Sequence, residues 1–419
     1  MTVPNSTEVV VIGGGAVGCS IAYHLAKDGV DVTLLEKGNI ASGATGRCGG
    51  MVVQLYGREL NIDKTMERLA LTKLNTERLI ELQEEIGDFE FRQVGSLDLA
   101  INEEEWNSLR DLVDLQQALG DAEIQLLDEE ETYEVMPIFG KGVAFGSRFR
   151  PSDGCLNPFK LTCKLATAAR KHGAVICTGT LAKEIVESKN NDRVVGVETN
   201  RGTIKTKWVI NASNAWASAL NREIEVVPVR ELAMVTERLP DLKCCPFEAR
   251  FEGEFAYGTT QTASGNILVG GPGLPTGGPG NYNYFDASVT LADTKRCAEY
   301  LCGFFPMLEQ VSIIRSWAGT MAFTPDGVPF IGSIPGKEGM LVAVGFADGM
   351  ADAAAVGKLM AEYVSVGGFE SIPMEIFDPG RPLPKIEWPH PYLHETLHEV
   401  LAEKFDNVRL AKERINGIR

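Results

Sequence analysis

Two periodicities alternate along this chain, and the switches between them mark its elements. EVVVIG, residues 8 to 13, is a β-branched apolar run of the kind expected for a strand buried on both faces. SIAYHLAKDG then places Ile21, Ala22, Leu25 and Ala26 at helical spacing before Gly29, and VDVTLLEKG reads as a second strand ending at Glu36. Helical spacing returns over residues 60 to 85, as in MERLALTKLNTERLIELQEEIG, and over 103 to 119. SDGCLNPFKLTCKLATAARKHGAVICTGTLAKEI gives a turn at Asp153 and Gly154, a helix from near Pro158 to His172, then Gly173 and a strand. EVVPVRELAMVTERL, EARFEGEFAYGTT and GNILVGGPG alternate apolar and polar residues, like strands with one buried face. Near the end, FDPGRPLPKIEWPHP is too rich in proline for regular helix and is expected to run extended over the surface. From Tyr392 onward Leu393, Leu397, Val400, Leu401 and Val408 form one apolar helical stripe.

Composition narrows the classes. With 419 residues, 44% of them hydrophobic, the chain can bury a sizeable core and form two domains. A net charge of −17, from 57 acidic and 40 basic residues, opposes binding to nucleic acid or an anionic membrane through a general positive field. No stretch approaches the roughly 18 apolar residues of a membrane span. MTVPNSTEVVVIGGG lacks a charged start, an apolar stretch and a cleavage site, so a cytoplasmic location is expected. The nine cysteines are scattered without a CxxC pair, which favours free thiols over a zinc ribbon or a disulfide scaffold.

HETLH, residues 394 to 398, has the histidine spacing of a zinc hydrolase. Such a site also needs a third protein ligand and a substrate cleft, and here the two histidines flank the apolar stripe. An amphipathic docking helix is the expected reading, with no metal.

The strongest chemical signal is GGGAVG, directly after the first strand. In a strand–turn–helix–strand unit Gly13 permits the tight turn, Gly15 lets the backbone approach a pyrophosphate, and Gly18 lets helix and strand pack closely. Ala16 and Val17 open the helix whose amino terminus faces the phosphates, and Glu36 can accept hydrogen bonds from ribose hydroxyls, with Lys37 beside it. Dinucleotide binding follows; the unit alone does not separate NAD from FAD. The next stretch, KGNIASGATGRCGGMVVQ, is too rich in glycine for a helix and suits a path along a flat, extended ligand.

At this point the sequence resembles the D-amino-acid oxidase (DAO) superfamily of flavoproteins, which includes glycine and sarcosine oxidases and amino-acid dehydrogenases. Their Ser-Gly-Ala-Thr-Gly-Arg motif is matched from Ser42 through Thr45 and Gly46 to Arg47, followed by Cys48, Gly49, Gly50 and Met51. The likeness continues through RVVGVETNRGTIKTKWVINASNAWA to RSWAGTMAFTPDGVPFIG, the family's carboxy-terminal signature, and covers about residues 8 to 370. It implies FAD, held non-covalently because Gly319 stands about where covalent relatives carry cysteine. It also implies cofactor contacts at Ala182, where the backbone meets the adenine, and at Ala212, Gly319, Gly345, Gly349 and Met350.

The implied architecture is α/β: a Rossmann-like FAD-binding domain of the glutathione-reductase-like, DAO type, with an α+β substrate domain whose antiparallel sheet roofs the flavin. The expected segments are 1–85, 150–225 and 315–370 for the FAD domain, 86–149 and 226–314 for the substrate domain, and 371–419 for a carboxy-terminal extension. Substrate should lie between the sheet and the flavin. Its carboxylate calls for an arginine fork, with Arg47, Arg58, Arg250 and Arg315 as candidates by position. Tyr257 is expected to touch substrate, and Met321 occupies, with Thr320, the place where several relatives have an arginine.

Residues 345 to 352 depart from the family's glycine- and histidine-rich loop. They carry Asp348, expected to cap the following helix outward, and Asp352, and the segment has no lysine before Lys358 to react with oxygen. Cys48 is expected to be a buried small residue rather than a redox centre. The resemblance is nearest to flavin-bearing β subunits of multi-subunit dehydrogenases, such as dye-linked proline dehydrogenase, opine oxidase and hydrogen cyanide synthase. A dehydrogenase of a small amino or imino acid, passing electrons to a partner subunit or another acceptor, is therefore expected. A self-contained oxidase and a redox-silent FAD-binding scaffold are the alternatives.

Overall fold

The structure is a computed structural model that describes residues 3–54, 61–188, 193–250, 256–275, 277–278, 281–282 and 287–384, with backbone alone at 250, 256–257 and 272–282. Arg58 and HETLH lie outside the described residues, as do the side chains of Arg250 and Tyr257.

The apolar runs noted first assemble into a six-stranded sheet in the spatial order Phe330–Ser333, Met340–Val344, Trp208–Asn211, Val9–Ile12, Val32–Leu35, Val175–Cys177. All neighbours are parallel except the hairpin of the first two. Side chains alternate across a strand, so Val9 and Val11 join a core with the helices Ala16–Lys27, Pro158–Lys171 and Ala353–Val366. Val10 and Ile12 join a second core under the antiparallel strands Ala182–Glu187, Val194–Thr199 and Gly202–Lys205. Burial on both faces is why the sequence shows a continuous apolar run here and not alternation. Each fully buried Val or Leu contributes roughly 1.5–3 kcal/mol.

Helix Ile62–Ile86 begins at Asn61, whose side chain accepts from the Lys64 N–H. Its buried Asn75 accepts from the N–H groups of Ala354 (2.8 Å) and Ala355 (3.3 Å) and donates to the Met350 carbonyl (3.1 Å). Asn75 therefore caps helix Ala353–Val366 from a distant segment. This corrects the expectation for Asp348, which faces elsewhere, as shown below; Asp352 stands at the N-cap position without a side-chain cap bond.

The roof is an eight-stranded sheet in the order Ile313–Phe323, Val227–Arg238, Asn266–Pro275, Ala256–Gln261, Phe247–Arg250, Ser96–Ala100, Gly146–Arg150, Gln125–Asp128. It is antiparallel except where Phe247–Arg250 runs parallel to Ser96–Ala100. Its back is packed by helix Leu291–Phe304 and an aromatic cluster of Phe139, Phe247, Tyr300, Phe304 and Phe305. Residues 315–323, expected in the FAD-binding segment, instead pair with Val227–Arg238 as the edge of this roof.

The proline-rich stretch after residue 372 is pinned where it is described. Phe377 is fully buried, and Arg381 holds Asp326 with Nε and Nη2 at 2.8 Å each while its guanidinium lies 4.2 Å over the Phe330 ring. No described helix is long and apolar enough to cross a membrane.

Candidate flavin site

The glycine turn is built by close approach. Gly13 has φ +118°, and a Cβ there would stand 2.5 Å from the Ala212 carbonyl oxygen; a Cβ on Gly18 would stand 2.0 Å from the Gly13 oxygen. Glu36 is held under the turn, accepting from Gly14 N–H at 2.7 Å and Gly38 N–H at 2.6 Å. Thr45 reaches back to accept from Ala16 N–H at 3.1 Å, which ties the loop after Glu36 to the helix amino terminus. That loop is also tied to the roof. Trp317 Nε1 donates to the Arg47 carbonyl at 2.9 Å, and a Cβ on Gly319 would lie 2.9 Å from Arg47 Cβ.

Between the parallel sheet and the roof runs a cavity of about 1100 Å³, at the top of the range of roughly 300–1,000 Å³ for ligand sites. At its turn end stand Gly13, Gly15, Ala16 and Val17, with Glu36 and Lys37. The flavin loop contributes Ser42, Thr45, Arg47, Cys48, Gly49, Gly50 and Met51; more distant segments bring Ala182, Ala212, Gly319, Met321, Gly349 and Met350. Gly18, Gly46 and Gly345 do not front the cavity. Gly18 packs on Gly13, Gly46 on the Ala41 carbonyl, and Gly345 beside Thr324. Lys37 stacks 3.5 Å over the Trp216 ring, and burial lowers its pKa to about 8.

The substrate-side candidates fare differently. Arg315 is exposed, 5.5 Å over Trp317, and does not line the cavity. It shares strand parity with Gly319 and Met321 but lies four residues before Gly319, roughly 13 Å along the strand, where the roof has passed the cavity edge. The Tyr257 backbone pairs with Ala249, one step off the row of Glu248, Gly258 and Gly270, and its side chain lies outside the described residues. Arg47 is the one guanidinium among the described lining residues, and its Nη1 donates to the carbonyls of Ser42 and Gly43 (3.0 Å). Cys48 is half-buried on the cavity wall rather than buried in packing; it donates to the Thr45 carbonyl at 3.2 Å, and loss of solvent around the thiol pushes it up to about 11.

Sequence reasoning missed the acids. Glu231 lines the cavity from strand Val227–Arg238, and Asp348 lines it from the loop before helix Ala353–Val366. Burial, with the charge of Asp348, raises Glu231 to about 8. Burial also raises Asp348 to about 7, against the pull of Arg68 and with a further push from Asp352, itself raised by burial to about 6. Glu248, 8% exposed, is raised well above the carboxylate range by burial and by Asp348. Asn214 was missed too. Held at φ +49°, it accepts from Gly345 N–H at 2.8 Å and Phe346 N–H at 3.0 Å and so fixes the start of the Asp348 loop.

An acid whose folded pKa is raised leaves full stability below the unfolded value and loses it as pH rises through the folded one. Glu231→Gln should therefore gain in Tm over the wild type as pH rises from about 6 to about 9, since the unfolded carboxylate titrates near 4.3. Taking the difference cancels His24 and Lys37, which titrate in both proteins. A difference in Tm that stays flat across this pH range in thermal melts would contradict a buried, protonated Glu231.

A glycine turn on a parallel sheet, an acid beneath it and a long cavity closed by a second sheet define a dinucleotide-binding oxidoreductase of the flavin type. The comparisons agree. Residues 8–363 match the family described as FAD dependent oxidoreductase (DAO), and the chain belongs to that family. It is 30% identical over 378 residues to human mitochondrial sarcosine dehydrogenase, covering 87% of this chain but only 40% of that one. It is 29% identical to glycine oxidase of Geobacillus kaustophilus (strain HTA426), over 85% of this chain and 92% of that one. Among solved structures, L-proline dehydrogenase from P. horikoshii superposes with a TM-score of 0.80 at 31% identity, over 90% and 98% of the two chains. FAD is the cofactor of the family, and the turn, the acid and the glycine-lined cavity fit it.

Proposed function

We propose that this chain is a dehydrogenase that oxidises the carbon–nitrogen bond of a small amino or imino acid, of the glycine, sarcosine, proline, D-amino acid or opine type. Bound FAD supplies the hydride acceptor. The chain supplies the rest: the turn at Gly13–Gly18 and the loop at Ser42–Met51 hold the cofactor, and the roof strands exclude water and seat the substrate. The observation that carries this reading is the cavity, fronted by flavin-loop residues on one side and by Met321 and Glu231 of the roof on the other. The names of the relatives, which act on sarcosine, glycine and proline, support the substrate class.

We read the attachment as non-covalent because Arg47 packs where a side chain at Gly319 would stand. We favour a dehydrogenase, working within a heteromer, over an oxidase because the segment that fronts the cavity with Asp348 carries no lysine before Lys358 of the kind some oxidases place over the flavin. The two sheets support a division into an FAD-binding and a substrate-binding unit. The nine cysteines, unpaired among the described residues, support a cytoplasmic setting.

The test is an anaerobic spectrum of the purified holoprotein before and after glycine, sarcosine, L-proline, D-alanine and the dibasic D-lysine and D-arginine. Bleaching by one of them, with slow return of colour on readmitting air, is expected. Fast return would replace the dehydrogenase with an oxidase, and a flavin that no amine bleaches would favour the scaffold.

A further inference from the structure

The roof sheet places two buried carboxyl groups beside a pair of glycines, one of which Met51 overhangs. Glu248 pairs with Gly258, and Gly258 with Gly270, so the three share one cross-strand row. Phe247 and Ala249 pack into the back core, which leaves Glu248 on the cavity face. Glu231 reaches the same glycine pair across an irregularity between Glu231 and Ala233. Its Oε1 lies 3.5 Å from where a Gly270 Cβ would stand, and Glu248 Oε1 lies 3.9 Å from where a Gly258 Cβ would stand. Two glycines thus floor a cradle with a carboxylate at each end. Asp348 faces it from the opposite wall, near enough that its charge acts on both glutamates.

Among the described residues the buried Oε1 of Glu248 has no hydrogen-bond partner, although an unmatched buried polar group costs roughly 1–3 kcal/mol. Among the described residues, the basic ones of the cavity wall are engaged or remote. Arg47 donates to carbonyls of its own loop, Lys37 stacks on Trp216, and Lys183 belongs to the strand of Ala182 at the far end. Among the described residues no three acidic, histidine or cysteine side chains stand close enough to hold a metal ion. The complement to this cradle is a larger cation with several N–H donors.

We propose that the Glu231–Glu248–Asp348 cradle binds an ammonium or guanidinium group of the substrate, and that the substrate carries this cation in addition to the nitrogen that is oxidised. The oxidised nitrogen must be neutral when its carbon loses hydride, because its lone pair forms the carbon–nitrogen double bond. A cation entering among the three acids lowers their pKa and ionises them, and they in turn keep it protonated, so the cradle serves the other nitrogen. This rests on the amine-oxidising reading above and narrows it, within amino and imino acids, to dibasic ones.

Calorimetric titration of the FAD-loaded protein with benzamidine tests the cradle without turnover, since the amidine carbon carries no hydrogen to lose. Benzoate, of the same shape but opposite charge, is the control. Benzamidine is expected to bind at least about tenfold more tightly than benzoate and to weaken about tenfold or more in Glu248→Gln, as a charge-assisted hydrogen bond is lost. Glu231→Gln should weaken it likewise, and flavin content reports whether each variant is folded. Tighter binding of benzoate, no binding of benzamidine, or an unchanged Kd in both variants would overturn the proposal. Bleaching by proline or sarcosine without benzamidine binding would leave the oxidoreductase and remove the cradle. Benzamidine binding with no bleaching by any amine, dibasic ones included, would do the reverse.

Discussion

Gly18→Val should yield protein nearly free of flavin. A Cβ at this position would stand 2.0 Å from the Gly13 carbonyl oxygen, a backbone atom in a turn that is itself wedged against Ala212. Neither side can yield: helix Ala16–Lys27 is packed against two other helices, and the turn is fixed by the Glu36 bonds to Gly14 and Gly38. The helix must lift away, which withdraws its amino terminus from the phosphates. Overpacking of this kind costs roughly 1–3 kcal/mol, so FAD occupancy should fall by about tenfold. Gly368→Val, at a glycine where an added Cβ would meet nothing within 4 Å, is the control and should purify yellow. The ratio of flavin to protein absorbance reads the result, and a fully loaded Gly18→Val would refute the close-packing account.

Gly258→Val should do the opposite, keeping FAD and losing turnover. Gly258 sits in a central roof strand where valine is favoured, and the nearest atom to an added Cβ is the flexible end of Met51, at 3.3 Å. The strand can therefore accept the branch. Its methyls would project over the floor of the cavity, into the place where substrate is seated. A displacement of about 1 Å can cost roughly 100-fold in rate, and a loss of that size in kcat/KM is expected with the flavin spectrum unchanged. Full activity in this variant would move the substrate away from the roof row altogether.

These two glycines also show what could be read from the sequence. Gly18 was legible because its chemistry is local: strand, turn, helix and acid lie within residues 8 to 36, and each element announces itself by period or glycine. The loop at Ser42–Met51 was legible through its resemblance to a family. Gly258 was not, because its meaning depends on which strand lies beside it. Read as sequence, EARFEGEFAYGTT offers Tyr257 as the natural side chain to touch substrate and passes over Gly258 and Glu248, which register puts side by side in one row. A slip of one residue exchanges the two faces of a strand, and sequence alone does not fix that parity. Glu231 and Glu248 looked like ordinary polar positions of half-buried strands. What could have singled them out is their shared parity with glycines, a pattern visible only once the strand order is known. Asp348 read as a helix cap because nothing near it in sequence reveals that Asn75, from another helix, takes that role. Arg315 failed through distance along its strand, which its residue type does not record.

The pairing of strand Val9–Ile12 has a consequence for how the protein is made. Its neighbour Val32–Leu35 is at hand early, but its other neighbour is Trp208–Asn211. At the usual pace of about 5–20 residues per second, the roughly 200 residues between them take on the order of 10–40 s to synthesise. Strand Met340–Val344, and with it the wall that carries Asp348, arrives later still. A nascent chain thus has one flank of the sheet bare, an edge open to mispairing, until Ala212 arrives to close against the Gly13 turn. Flavin is then the last part to be fitted, and riboflavin-starved cells should accumulate chains that are complete in length and unfinished in structure.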